Sequence, residues 1–312
     1  MTDACSPDPD AGPKSPRVST PRPPIVVRHP RLELGNRSTS ERPPIDRYWW
    51  GGDPFQTHFL NALSSTFPFG EAFFVRSVRH YADRLDDPDL AKEIRAFAAQ
   101  EGQHSRIHDD HVELLLAQGY TALETRNRFF DRIVRWHNRR TPAFALAVTA
   151  SLEHLTALLA RQVLDEEADW TRTMDPRMRS LWRWHALEES EHKAVAFDTY
   201  RAMDLPYGLL VFAMVLSTFD LAIETFQRML YLFWKDGRLF DAGAWTRGWR
   251  FLLGRGGFLR GLGADYCAWY RRDFHPDQLD DRATIARVAP RVDADLAHLA
   301  DLARGVESVA TR

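Results

Sequence analysis

Apolar positions along this chain recur at three- and four-residue spacing, in long runs separated by proline-containing breaks. That pattern predicts amphipathic helices rather than strands. Phe55, Phe59, Leu60 and Leu63 follow Asp53-Pro54, a cap with proline at the first helical position, and predict a helix over 54–80. Phe67-Pro68-Phe69-Gly70 interrupts or kinks it, and Glu71, Phe74, Val75 and Val78 resume the stripe. A second helix, 89–118, opens after Pro88 and carries Ile94, Phe97, Ala98, Ile107, Val112 and Leu115. Phe129, Ile133 and Trp136 predict a shorter one. Thr141-Pro142 opens 143–167, almost wholly strong helix formers. Asp175-Pro176 breaks it, and the next helix runs over 177–203.

Beyond Pro206, residues 207–234 begin with the apolar run YGLLVFAMVLSTF. A membrane span needs about 20 apolar residues, and Asp220 and Glu224 cut this run short. It reads as a buried core or interface helix, with membrane-surface docking as the second reading. Residues up to 272 mix aromatic side chains with Arg and Gly and predict one or two amphipathic helices with basic faces, ended by His275-Pro276. A last helix over 279–302 reads as an oligomer contact, which would make a homodimer, or as a docked tail. No alternation of helix with apolar strand points to a sheet, so the fold class is all-α.

The first 45 residues carry Pro7, Pro9, Pro13, Pro16, Pro21, Pro23 and Pro24 and too few apolar groups to offset their ordering entropy. They are expected to be a disordered tail, in which Ile25-Val26-Val27 has no strand to pair with. Residues 46–276 then form the main helical domain, with added helices after 205, and 277–312 a terminal helix and tail.

Composition narrows the chemistry. The chain has 312 residues and a formal charge of -2, which argues against a nucleic-acid partner. Cys5 and Cys267 are its only cysteines, so a disulfide framework, an iron–sulfur cluster and a thiolate zinc site are excluded. The 12 histidines are the better source of ligands. The N-terminus has no apolar run of a secretory signal, which places the chain in the cytoplasm, with peripheral membrane contact through 207–272 as an added expectation.

The chemistry centres on WHALEESEHKAVAF, 184–197. His185, Glu189 and His192 stand at i, i+4 and i+7, within roughly a 60° sector of one helix face. Upstream, Glu101 and His104 repeat the Glu-x-x-His unit, and Glu71 and Glu153 each sit in an apolar helix. The order is therefore Glu, Glu-x-x-His, Glu, Glu-x-x-His. The gaps of 30 residues from Glu71 to Glu101 and 36 from Glu153 to Glu189 suit two antiparallel hairpins whose ligands meet at one level. Four carboxylates would balance two divalent ions, and the imidazoles would terminate each end. His185 stands as a seventh ligand or as a donor to one. His108 and Glu188 read as supporting groups around the ligands, Glu191 as a solvated charge and His154 as packing. Arg76 and Arg79 read as surface pairs, and Phe69, Phe73, Phe74 and Phe97 as core.

In these residues the chain resembles the ferritin-like di-iron carboxylate superfamily, whose four-helix bundles hold such ligand sets. More narrowly, it resembles a bacterial family of predicted metal-dependent hydrolases. The resemblance rests on FPFGEAFF at 67–74, QEGQHSRIH at 100–108, LEH at 152–154, WHALEESEHKAVAFD at 184–198 and FHP at 274–276. It implies a ferritin-like four-helix bundle with additional C-terminal helices. The His-x-x-x-Glu-x-x-His stripe is also similar to that of p-aminobenzoate N-oxygenase, which implies His185 as a ligand. The metal set is then Glu71, Glu101, His104, Glu153, His185, Glu189 and His192. The leading expectation is a non-haem di-iron or Fe/Mn oxidase or oxygenase, using O2 and an external electron donor on a small apolar or lipid-like substrate. The alternative is a dinuclear hydrolase with Zn or Mn. Iron storage and a metal-free interaction protein are the remaining readings.

Overall fold

The computed structural model describes residues 22–34, 44–127 and 141–310, with side chains as far as residue 303. The described residues are helical, and their one β feature is an isolated bridge between Trp50 and Met174. Ten α-helices are numbered here in chain order: α1 (Pro54–Ser64), α2 (Phe67–Ala82), α3 (Pro88–Ala117), α4 (Pro142–Val163), α5 (Pro176–His192), α6 (Val195–Ala202), α7 (Tyr207–Lys235), α8 (Ala242–Leu253), α9 (Gly263–Ala268) and α10 (Arg282–Ala310). The short helix expected over 129–136 lies outside the described residues.

Helix starts follow the Asp-Pro signals. Asp53, Asp87 and Asp175 cap α1, α3 and α5 by accepting backbone N–H groups, each with proline at the first helical positions. Pro68 does more than kink the first predicted helix: the chain turns at Ser65-Thr66 and restarts as α2. The predicted helix 177–203 is likewise broken, at Lys193-Ala194.

Helix α2 packs on α3, and α4 on α5. Ser105 on α3 bonds the Pro68 carbonyl at the start of α2, while further along α3 His108 and His111 bond Ser64 at the end of α1. The partners run in opposite directions, so α2 and α3 are antiparallel. Thr156 bonds Glu189 while Glu153, earlier on α4, faces His192, later on α5, so that pair is antiparallel too. The apolar interior falls into two clusters. One holds Trp50, Phe55, Leu63, Ile107 and Leu181; the other holds Phe74, Phe97, Ala150, Phe197 and Trp269. Between them lies a polar layer, since Glu101 and His104 separate Phe97 from Ile107, and Glu153 lies between Ala150 and Ala160.

Two expectations are corrected. Residues 22–34, placed in a disordered tail, lie extended along the bundle: Arg28, Leu32 and Leu34 are buried, and Arg22 pairs with Glu93, Asp198 and Asp277. Helical partners, not a strand, satisfy this strap. Of the readings of α7 as a core or an interface helix, only burial on all sides is corrected, because Phe212, Leu216, Phe219, Ile223 and Phe226 face outward. Helices α4 and α7 are each long and apolar enough to cross a membrane by length and composition, but α4 is mostly buried by its neighbours.

Helix α8 lies directly on α1 at Gly248, where a Cβ would fall 2.0 Å from the Phe55 ring. Gly248→Ala should therefore destabilise the fold by about 1–3 kcal/mol through overpacking. An unchanged denaturant midpoint would show that α8 can lift off α1 freely.

Candidate metal centre

All seven candidate ligands are buried and converge in the polar layer. Helix α2 supplies Glu71, α3 Glu101 and His104, α4 Glu153, and α5 His185, Glu189 and His192. His192 Nε2 lies 3.1 Å from Glu101 Oε1, 3.2 Å from Glu153 Oε2 and 3.7 Å from Glu189 Oε1. His185 Nε2 lies 3.3 Å from Glu189 Oε1, and His104 Nδ1 3.6 Å from the same oxygen. Glu71 completes a group with Glu101 and His104, its donor atom within 4.8 Å of theirs. Glu101 and Glu189 each face two overlapping groups: His104 with Glu71 or His185 on one side, and His192 on the other. Glu153 borders the His192 side.

The hydrogen-bond directions decide which histidine nitrogens are free. Gln100 turns its Nε2 to two acceptors, the Val26 carbonyl and Glu191, so its Oε1 must face His192 Nδ1 at 2.9 Å and accept from it. Glu188 Oε2 accepts from His104 Nε2 at 3.1 Å. Each neutral imidazole carries one N–H, so His104 Nδ1 keeps a lone pair aimed at carboxylates, as does His192 Nε2 when that ring is neutral. The His185 tautomer follows from a longer chain. The Trp49 indole, a donor only, bonds Asn61 Oδ1 at 2.9 Å. Asn61 Oδ1 then also accepts from His111 Nε2, His111 Nδ1 accepts from the Ser64 hydroxyl, and Ser64 accepts from His108 Nδ1. His108 Nε2 is left to accept from His185 Nδ1 at 3.1 Å, which frees His185 Nε2 toward Glu189. The other end agrees: Asn61 Nδ2 faces His58 Nδ1, and His58 Nε2 faces Asp236 at 2.9 Å.

With His192 neutral, three lone pairs and four carboxylates face one another with no donor among them. Both oxygens of Glu71, Glu101 and Glu153, with His104 Nδ1 and His192 Nε2, make no hydrogen bond among the described residues. Burial on this scale is costly for uncompensated carboxylates. Burial and the neighbouring carboxylates raise Glu71 and Glu101 well above the ordinary range, and burial, outweighing the His192 ring, pushes Glu153 up to about 7. Burial would lower His192, but Glu153 and Glu189 outweigh it and raise that ring well above an ordinary histidine. Burial drives His104, His185 and His111 down to about 3, so these rings are neutral. A layer that raises Glu71, Glu101 and Glu153, lowers Glu189 beside the histidines despite its burial, draws a proton onto His192 and keeps its other histidines neutral is a set of donors fit for divalent cations.

The strap contributes to this arrangement. The Arg28 backbone N–H bonds Glu188 at 3.0 Å, and the Val26 carbonyl holds Gln100. Glu191, expected as a solvated charge, is buried and binds the Arg28 guanidinium, the Val26 N–H and Gln100. His154 packs on Trp269 and Phe274, away from the cluster. Sequence reasoning missed Gln100, Ser64, His111, Asn61 and Asp236. His58, Asn61 and Ser64, three residues apart in an apolar helix, were a legible signal of a buried polar stripe.

A cavity of about 510 Å³ reaches the cluster at Glu71, His185 and Glu189. Its walls are mainly apolar and include Phe67, Phe69, Phe73, Phe74, Phe144 and Leu152. The phenylalanines at 69, 73 and 74, expected as core alone, therefore also face open space. The Thr156 hydroxyl, at the cavity edge, donates to Glu189.

A family model described as "Predicted metal-dependent hydrolase" matches residues 36–280. No curated protein and no solved structure matches the chain.

Two outcomes are expected at this site. Gln100→Leu removes the acceptor that orients His192 and should weaken binding of a divalent metal by about 10–100-fold; calorimetric titration showing parental affinity would refute the orienting role. Glu153, raised to about 7 by burial, holds a proton below that pH that a cation must displace. Metal affinity should therefore rise from about pH 6 to about pH 8, with more protons released at the lower pH; buffer-dependent calorimetry reads this directly.

Proposed function

The chain belongs to the predicted metal-dependent hydrolase family, and we propose that it is a ferritin-like dinuclear enzyme that hydrolyses an ester- or amide-type bond in an apolar substrate. The observation that carries this is the meeting of the four-glutamate, three-histidine layer with one end of an apolar cavity. The cavity volume is in the usual range for a small-molecule site, about 300–1,000 Å³.

Glu71, Glu101, His104, Glu153, His185, Glu189 and His192 would hold two divalent ions; Glu101 and Glu189 each belong to two of the overlapping donor groups. Ions so held would lower the pKa of a water to near 7 and polarise a carbonyl. The chain's own residues do the rest. Phenylalanine rings 67, 69, 73, 74 and 144 bind the apolar part of the substrate and exclude water. Glu71, on the cavity wall, would take a proton from the attacking water on whichever carboxylate oxygen holds no ion and return it to the leaving group. Thr156 restrains Glu189 through its hydroxyl, and Gln100, Glu188 and His108 keep the three imidazoles in the ligand tautomer.

A second reading, oxidation of the same substrate by O2 at a di-iron centre with an external electron donor, is favoured by one observation: the converging donors are glutamate and histidine with no aspartate, a set suited to iron or manganese.

Metal analysis of the purified protein should give about two ions per chain, lost in Glu101→Ala and Glu189→Ala. The zinc or manganese form should hydrolyse a medium-chain aryl ester under anaerobic conditions. Anaerobic silence of those forms, with reductant-dependent O2 uptake by the iron form, would overturn hydrolysis in favour of oxidation.

A further inference from the structure

The outer face of α7 carries Phe212, Leu216, Phe219, Ile223 and Phe226, at alternating spacings of four and three residues, so all five lie along one side of the helix. Each is exposed, Phe219 by 63% and Phe212 by 55%. A soluble chain rarely leaves so continuous an apolar strip to water. The strip does not end with α7. The Phe226 ring meets Trp249 on α8, with centroids 6.5 Å apart, and one turn beyond it Leu253 is exposed by 55%.

The segment beside the Trp249 end of this strip is basic, between Asp241 and Asp265. Residues 242–264 hold Arg247, Arg250, Arg255 and Arg260 and no Asp or Glu. All four arginines are exposed. Exposed Trp and Leu interleaved with arginine on a short amphipathic helix are the composition of a segment that lies in a membrane interface, apolar side down, with guanidinium groups among anionic headgroups. The strip is also continuous with the candidate site. Leu216, Phe219 and Ile223 are at once part of the exposed face and part of the cavity wall.

We propose that the α7–α8 face docks on an anionic lipid surface, and that the cavity draws an acyl-chain substrate from that surface through the gap beside Leu216, Phe219 and Ile223. The second half of this rests on the cavity being the substrate site. A second copy of the chain on the same face would cover the cavity mouth, whereas a bilayer delivers an apolar chain into it.

The test uses the full chain with vesicles of phosphatidylcholine alone or mixed with phosphatidylserine. Flotation should recover the protein with the mixed vesicles and at least about tenfold less with phosphatidylcholine alone or at high salt. The triple variant Leu253→Asp, Arg250→Gln and Arg255→Gln, which touches no cavity residue, should lose vesicle binding while keeping parental thermal midpoint, metal content and turnover of a soluble short-chain ester. Failure to bind mixed vesicles at low salt overturns the proposal. So does a concentration-dependent dimer, seen by sedimentation velocity, that the same variant dissolves. Vesicle binding is read without turnover, so a protein that binds lipid but hydrolyses nothing would sink the hydrolytic reading and leave the docking face standing.

Discussion

Four carboxylates brought into one buried layer repel one another, and most of the architecture answers that repulsion. Apolar clusters lie on both sides of the layer and keep water from screening it. The charge must then be met from within, by protons or by cations. Burial keeps His104 and His185 neutral, so they add no positive charge, whereas His192 draws a proton between Glu153 and Glu189. The inner lone pairs of the neutral rings deepen the demand for cations. Cation binding and folding energy are coupled in such a site: a divalent ion removes a repulsion that the empty fold must otherwise relieve by holding protons.

The orienting groups reach far from the centre. His185 is set by a relay that passes through His108, Ser64, His111 and Asn61 to the Trp49 indole at one end and Asp236 at the other. Asp236 is itself held by Tyr48, Tyr120 and Arg47. In a relay of neutral groups each bond dictates the direction of the next, so a donor-only indole fixes a nitrogen several residues away. His104 and His192 depend on the strap, whose backbone at Val26 and Arg28 anchors Gln100 and Glu188. The packing of a proline-rich segment is thereby connected to the geometry of the ligands.

The cavity and the outer face of α7 share the side chains of Leu216, Phe219 and Ile223. Whatever covers that face also controls what reaches Glu71 and Glu189.

The sequence alone determined the helical class and the level at which Glu71, Glu101, Glu153 and Glu189 meet. Both are consequences of local periodicity: helical spacing places residues on a face, and segment lengths set the height at which hairpins bring faces together. The breaks at Pro68 and Asp175-Pro176 were legible for the same reason, since proline acts on its own backbone. The family match over 36–280 supports the metal dependence and the hydrolytic label, and the metal's identity rests on neither. Tertiary structure alone decided the rest. It buried Glu191 and ordered 22–34, because the strap's partners Glu188, Glu191 and Gln100 lie more than 70 positions away, where no local pattern could signal them. It chose which imidazole nitrogens face the carboxylates, and it left α7 half uncovered: periodicity says that a helix has an apolar side, and only the packing of the other helices says whether anything lies against it.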